Sequence, residues 1–233
     1  MTLRPGLRTF KPRRSRVTQR QEQAIAASDG LLLRLNDQPL DFAATWGAVA
    51  SGSSVPVILE IGFGSGPATT ATAAADPETG FLAVDIHTPG VGDLLQSLRD
   101  AGLTNVRVME ADALLVLERM IAPGSLTAVR TLFPDPWPKA RHHKRRIVQP
   151  AVLDLVRNHL IPGGTWHLAT DWPHYADWIM ECFASDPRWT GGPVPRPDWR
   201  VLTRYEERAQ LEGRTSIDLS YRTNADSAST KGT

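Results

Sequence analysis

From residue 55 to residue 183 short apolar runs alternate with helical faces, and the first run stops at three alternating glycines. Val55-Pro-Val-Ile-Leu-Glu-Ile61 reads as a strand buried on both faces, ending at Gly62-Phe-Gly64-Ser-Gly66. Pro67 to Ala75 is Ala/Thr-rich and predicts a helix with proline at its first position. Four further strands follow at Phe81–Asp85, Val106–Met109, Leu126–Phe133 and Gly164–Ala169. Helical faces separate them, marked by Leu94, Leu95 and Leu98, by Leu114, Leu117, Met120 and Ile121, and by Val148, Val152, Leu155 and His159. Tyr175, Trp178, Ile179, Cys182 and Phe183 mark one more. Strand and helix alternating in this way with short links predict an α/β fold: a mostly parallel sheet with helices on both faces. Such sheets bind ligands beyond the C-terminal strand ends, where strand order reverses.

The flanks are less regular. Gln19 to Ala27 predicts a short helix, and a loose segment runs from there to about Pro56. Stretches near 199–203 and 216–221 read as late edge strands. The organisation expected is a basic arm and lead-in over 1–54, the sheet domain over 55–222, and a polar, disordered tail over 223–233.

Charge is segregated. Residues 1–20 hold seven Lys/Arg and no acid, and Lys139–Arg146 (KARHHKRR) holds five more, leaving 14 bases against 25 acids elsewhere. An acidic body with two basic patches points to a polyanionic partner, most simply a nucleic acid. The lone Cys182 excludes a disulfide framework and a Cys-rich zinc site. His142 and His143 are adjacent, so their side chains do not converge as an i, i+4 pair would, and no metal is expected. No apolar run reaches the ~18 residues a membrane span needs. The first residues lack an apolar signal core, so a soluble cytoplasmic protein is expected.

Each predicted strand end carries a candidate ligand group. Gly62, Gly64 and Gly66 let a ligand approach the backbone, and the helix behind offers free N–H groups. A dinucleotide register would need glycine where Pro67 stands. Glu60, two residues before the first glycine, gives acid-x-Gly-x-Gly-x-Gly, which resembles the first motif of S-adenosylmethionine-dependent methyltransferases; Glu60 can equally orient the turn or helix. Asp85 suits a ribose diol. Asp112 can contact an adenine or cap the next helix, and Asp171 can face the cleft or cap.

Phe133-Pro-Asp135-Pro-Trp137-Pro-Lys139 has three prolines in six residues, predicting a stiff, extended loop that places Asp135, Trp137 and Lys139 at the cleft mouth. An acid and an aromatic there can grip a flat base by its edge and face. Arg141, His142, His143, Lys144, Arg145 and Arg146 follow and can hold phosphates.

FPDPWPKARHHKRRI resembles the signature of the bacterial tRNA (guanine-N7-)-methyltransferases of the TrmB type. The similarity extends to RTFKPRRSRVT, LEIGFGSG, AVDIHTPGVGDLL, NVRVMEADA, HLATDW and TRYEERAQLEG, nearly the whole chain; Asp85 stands where that family is expected to have Glu. The resemblance implies a Rossmann-like methyltransferase fold, working as a monomer or weak dimer, and S-adenosylmethionine contacts at Glu60, Asp85, Asp112 and Asp135. It implies RNA contacts at Lys139, Asp171, Thr203, Arg204, Tyr205 and Glu206, and an RNA-interaction stretch over Arg141–Arg146. The implied reaction is methyl transfer to N7 of the variable-loop guanine of tRNA, with Asp135 as the catalytic group. Residue chemistry by itself leaves open an NAD oxidoreductase, a non-catalytic RNA-binding module, and methyl transfer to an exocyclic amine.

Overall fold

A strand turns successive side chains to opposite faces, and the apolar runs of this chain use both. The computed structural model describes Thr9 and residues 16–28, 30–47, 55–202, 206–207 and 211–224. In chain order its first half holds α1 (Gln19–Ala26), β1 (Leu32–Leu33), α2 (Phe42–Trp46), β2 (Val57–Ile61), α3 (Pro67–Ala75), β3 (Gly80–Asp85), α4 (Thr88–Asp100) and β4 (Val106–Glu110). Then come α5 (Ala113–Met120), β5 (Leu126–Leu132), α6 (Pro150–His159), β6 (Leu160–Thr170), α7 (Pro173–Ala184), β7 (Trp189–Val194) and β8 (Ile217–Thr223). Val57, Leu59, Leu82, Val84 and Met109 pack with α5, α6 and α7 on one face of the sheet. Ile58, Phe81, Ala83, Val106 and Val108 pack with α1, α3 and α4 on the other.

The sheet order is β1-β4-β3-β2-β5-β6-β8-β7. Strands β1 to β6 are parallel, and β8 runs antiparallel to both β6 and β7. From β2 the chain steps outward through β3 and β4, then returns to lay β5 on β2's other side. The reversal therefore falls between β2 and β5, and the turns leaving those two strands flank the crevice where such sheets hold ligands.

The lead-in belongs to this sheet more than its loose composition suggests. Leu32 and Leu33 pair with Val108 and Met109 of β4. Phe42 is buried, and the Trp46 indole donates to the Asn105 carbonyl at 3.0 Å. Near the C-terminus the edge strand is Trp189–Val194, not the expected stretch 199–203. Gly191, Gly192 and Pro193 hide that strand from any hydrophobic alternation, while Trp199 is half-buried and Arg200 buried for contacts described below. The polar tail from residue 225 onward and nearly all of the arm lie outside the described residues. Among the described residues no helix is long and apolar enough to cross a membrane.

Helix α1 is tied to α4 near both of its ends. Thr18 closes a capping box with Gln21 at its start. The Gln21 amide donates to Asp93 in the first turns of α4 at 2.8 Å, and Arg99 near the end of α4 reaches the Ala27 carbonyl. The two helices thus run parallel, and α1 begins at the edge of the sheet that carries the strands' C-terminal ends. Gly92 makes the approach close enough, since a Cβ there would lie 2.6 Å from that of Gln21. We expect Gly92→Val to lever α1 off α4, at an overpacking cost of about 1–3 kcal/mol, or roughly 3–10 °C in melting temperature. Limited proteolysis should then cut faster ahead of residue 30, and an unchanged cutting rate would mean that other contacts hold α1.

Candidate active site

Gly62, Gly64 and Gly66 follow β2 with φ of 81°, 63° and 82°, the left-handed region that glycine enters without strain. A Cβ at Gly62 or Gly64 would meet nothing within 4 Å, whereas one at Gly66 would overlap Leu94 at 2.5 Å. The first two glycines open onto the cleft and the third lets α4 pack. Glycine is needed at position 90 too, where a Cβ would sit 1.9 Å from the Gly64 carbonyl oxygen.

The strand-end acids are already engaged. Asp85 accepts the Gly64 N–H at 2.9 Å on one oxygen, and the Ile86 and His87 N–H groups at 2.7 and 3.0 Å on the other. A carboxylate has about four acceptor sites, so roughly one stays open toward a ligand hydroxyl. Glu60 is 5% exposed and accepts the Thr69 hydroxyl of α3 at 2.7 Å. Burial raises its pKa, and the Thr69 bond and the charge of Arg130 oppose that shift. Of the two roles weighed for Glu60, the one visible here is bracing α3 behind the glycine turn. Asp112 caps α5, accepting the Leu114 N–H at 3.0 Å, and its pKa is raised by burial against that bond.

Across the switch point, the turn after β5 carries Asp135, half-buried. The loop is not simply extended: Phe133 and Trp137 adopt φ of 52° and 45°. Both precede proline, whose ring pushes the preceding residue toward extended backbone. Left-handed non-glycine residues cost roughly 1–3 kcal/mol each and persist where the surroundings over-determine them. Arg146 supplies much of that. It is 2% exposed, its Nε–H donates to the Pro136 carbonyl at 2.9 Å, and its guanidinium lies 5.0 Å from the Tyr175 ring and 5.1 Å from the Trp178 ring. This corrects the expectation for Arg146, which points inward and braces the loop instead of facing a phosphate.

Trp137 is corrected likewise. It is buried, its edge meets His142 at 5.7 Å, the Arg145 guanidinium sits 5.0 Å over its ring, and its indole donates to the Thr9 carbonyl at 3.4 Å. It anchors the loop and offers no free face to a base. Lys139, Arg141, Lys144 and Arg145 are exposed along a 3-10 turn, Ala140–Arg145. His142 is half-buried, and partial burial together with Arg141, Arg145, Lys139 and Lys144 holds its pKa below the usual imidazole value. His143 lies against Trp178.

Asp171 does not cap α7; it pairs with Arg214, which also holds Glu212 at 2.6 Å. Glu206, expected at the RNA, is 2% exposed and bound by Arg200. Thr203, Arg204 and Tyr205 lie outside the described residues. Sequence reasoning missed a row of polar groups on the sheet itself: Arg130 on β5, His167 on β6 and Asp218 on β8, covered by Trp199 and Arg200. The available signal was a charged residue inside each apolar strand run. Among the described residues no group of three His, Cys, Asp or Glu side chains is placed to hold a metal.

Residues 54–219 match the family described as "Putative methyltransferase". The tRNA (guanine-N(7)-)-methyltransferase of Streptomyces avermitilis is 45% identical over 222 residues, covering 93% of this chain and 75% of that protein. That of Halorhodospira halophila is 44% identical over 231 residues, covering 95% and 96%. Among solved structures, the antibiotic-resistance methyltransferase Kmr superposes with a TM-score of 0.54 at 16% identity, over 80% of this chain and 93% of that one. The 16S rRNA methyltransferase KamB gives 0.54 at 14% identity, over 73% and 88%. These two likenesses establish the fold, a Rossmann-like methyltransferase architecture. The sequence relatives go further, and the chain belongs to the tRNA (guanine-N7-)-methyltransferase family.

The brace on the loop is testable apart from any reaction. Arg146→Met should fill most of the space but strand the Pro136 carbonyl and remove the charge between two rings. The loss of stability should be about 2–4 kcal/mol, read as a lower urea midpoint at unchanged slope. A midpoint like that of the wild type would mean the loop is held without Arg146.

Proposed function

We propose that this protein transfers the methyl group of S-adenosylmethionine to N7 of a guanine in tRNA, the variable-loop guanine being the target. Reaction and substrate class are supported by relatives bearing the name tRNA (guanine-N(7)-)-methyltransferase at 41–45% identity across nearly the whole chain. At the level of this chain's own residues, one observation carries the reading: the open cradle at Gly62 and Gly64 and the braced loop bearing Asp135 leave adjacent strands on the same side of the sheet.

The cradle fits the cofactor. Open space over two left-handed glycines admits a ligand against bare backbone, and Asp85 and Asp112 bring carboxylates toward a nucleoside with a cationic sulfur. Bound there, S-adenosylmethionine supplies an electrophilic methyl group on a sulfonium. Guanine N7 carries an in-plane lone pair and no hydrogen, so Asp135 has no proton to remove before attack. Its work is to hold the base edge and to offset the positive charge that the purine ring acquires. Groups set in place beforehand for such a charge need no reorganisation as it develops. Positioning two reactants in line supplies roughly 7–11 kcal/mol of barrier reduction.

The exposed cations Lys139, Arg141, Lys144 and Arg145 serve as phosphate contacts beside the loop. The basic residues of the arm ahead of α1 add to them in this reading. Thr203, Arg204, Tyr205 and Asp171 complete the substrate side in this reading, and action on tRNA supports a cytoplasmic location.

Two experiments test this. Labelled S-adenosylmethionine, bulk tRNA and the full-length protein should yield labelled 7-methylguanosine on nucleoside analysis. Asp135→Ala should abolish that product while tRNA still binds. A label on an exocyclic amine would overturn the N7 target, and unchanged turnover in the variant would remove Asp135 from the chemistry. Neutralising Lys144 and Arg145 together should weaken tRNA binding and lower the slope of log affinity against log salt by about 0.7–0.9 per lost phosphate contact. An unaltered slope would mean that the 3-10 turn faces away from the RNA.

A further inference from the structure

On the sheet face that carries α3, ionisable side chains stand in a row across neighbouring strands. Glu60 on β2 pairs in register with Arg130 on β5, and Arg130 with His167 on β6. The His167 Nε2 lies 2.9 Å from Asp218 Oδ1 on β8. The Trp199 ring meets the His167 ring at 4.9 Å and lies 3.7 Å under the Arg130 guanidinium, while its carbonyl accepts the Thr72 hydroxyl of α3 at 3.3 Å.

Arg200 ends the row and is the most constrained side chain in it. Nε and Nη2 donate to the two Asp218 oxygens, each at 2.7 Å. Nη1 and Nη2 donate to the two Glu206 oxygens at 2.7 and 2.8 Å. Its guanidinium is fully buried and lies 5.5 Å from the ring of Phe133, the strained first residue of the Asp135 loop. The Ser216 hydroxyl and Arg196 add to the hold on Glu206. Burial by itself would push both acids up, but hydrogen bonds from His167, Arg200 and Ser216 bring Asp218 and Glu206 below the usual carboxylate range.

A buried ion cluster of this kind is weak evidence for stability, because apolar residues of like volume can fill the space as well. What apolar residues cannot reproduce is a planar fork that fixes two carboxylates from separate segments at one angle. We propose that Arg200 is a positioning residue for methyl transfer, holding Glu206 and Asp218 in fixed register with Phe133, so that the Asp135 loop keeps its place against the target guanine. This rests on the reading of the Asp135 loop given above. Arg200 touches neither cofactor nor base; it acts through the two segments it joins.

Arg200→Lys keeps the charge and loses the fork. In the full-length protein, with active sites counted by calorimetric titration with S-adenosylmethionine, turnover per site should fall by about 10–100-fold, the scale of a misplacement near 1 Å. The KM for tRNA and the affinity for S-adenosylmethionine should each stay within about threefold, because phosphate contacts and cradle are untouched. Hydrogen exchange should quicken at 133–139 and 211–216 and stay unchanged at 57–66. Asp218→Asn, isosteric and milder, should give the same pattern at smaller size and serves if the lysine variant does not fold. Turnover per titrated site within about twofold of wild type, or unchanged exchange at 133–139, would overturn the proposal. Wild-type protein inactive on tRNA would overturn the reading of function instead, and the exchange pattern would still decide whether Arg200 holds the loop.

Discussion

The parallel pairing of β2 with β5 sets the cleft. Ile58, Leu59 and Glu60 lie in register with Ala128, Val129 and Arg130. Parallel neighbours send their following turns off the same end of the sheet, about 4.8 Å apart at the strands. The glycine turn and the proline-rich loop are neighbours for that reason and need no bond to each other. Glu60 and Arg130 lie in register across this pairing: a one-residue slip of either strand would turn its charged residue toward the apolar helices of the opposite face and part the two charges. The same pair connects the back of the glycine turn, through Trp199, with the chain that covers β6 and β8.

The basic run after the loop is two devices in one stretch of sequence. Arg146 is drawn inside by Tyr175 and Trp178 and by the Pro136 carbonyl, and the strained loop needs that hold. Arg141, Lys144 and Arg145 remain outside, in a 3-10 turn too short for its dipole to oppose them strongly. The prolines then have a different use from stiffening an extended segment. Pro134 and Pro138 narrow the conformations left to Phe133 and Trp137; burial holds Trp137, the Arg200 guanidinium lies against Phe133, and Asp135 sits between the two.

The parts of the fold written in apolar periodicity were legible in the sequence: five strands, their helices, and the order that puts a cleft at their ends. The turns that carry Glu60, Asp85 and Asp135 were legible because glycines and prolines mark them, and that of Asp112 because an apolar strand run stops just before it. What escaped was pairing that periodicity does not encode. Leu32 and Leu33 are too few to show alternation, yet β4 offers them an open edge. Trp189–Val194 joins the sheet through backbone hydrogen bonds, with glycine and proline at its centre. Arg146 and Glu206 read as surface charges because a charge reveals its partner only in three dimensions; Tyr175 lies 29 residues from Arg146, and Arg200 binds Glu206 and Asp218 from either side.

Charge and geometry together bias how a polyanion meets this protein. Outside the arm and the Lys139–Arg146 stretch, acids exceed bases by 25 to 14. Most of the surface therefore repels phosphate, and the exposed cations of the 3-10 turn stand out beside the proline-rich loop. At the strand ends the sign reverses again: Glu60, behind the glycine turn, and Asp85 and Asp112 are already held by Thr69, by three backbone N–H groups and by the start of α5. Carboxylates fixed before a ligand arrives offer a cationic group a field that costs no rearrangement. An arrangement with cations outside and anions at the strand ends discriminates by repulsion as much as by attraction: its field disfavours a phosphate in the deeper space and favours a cationic group there.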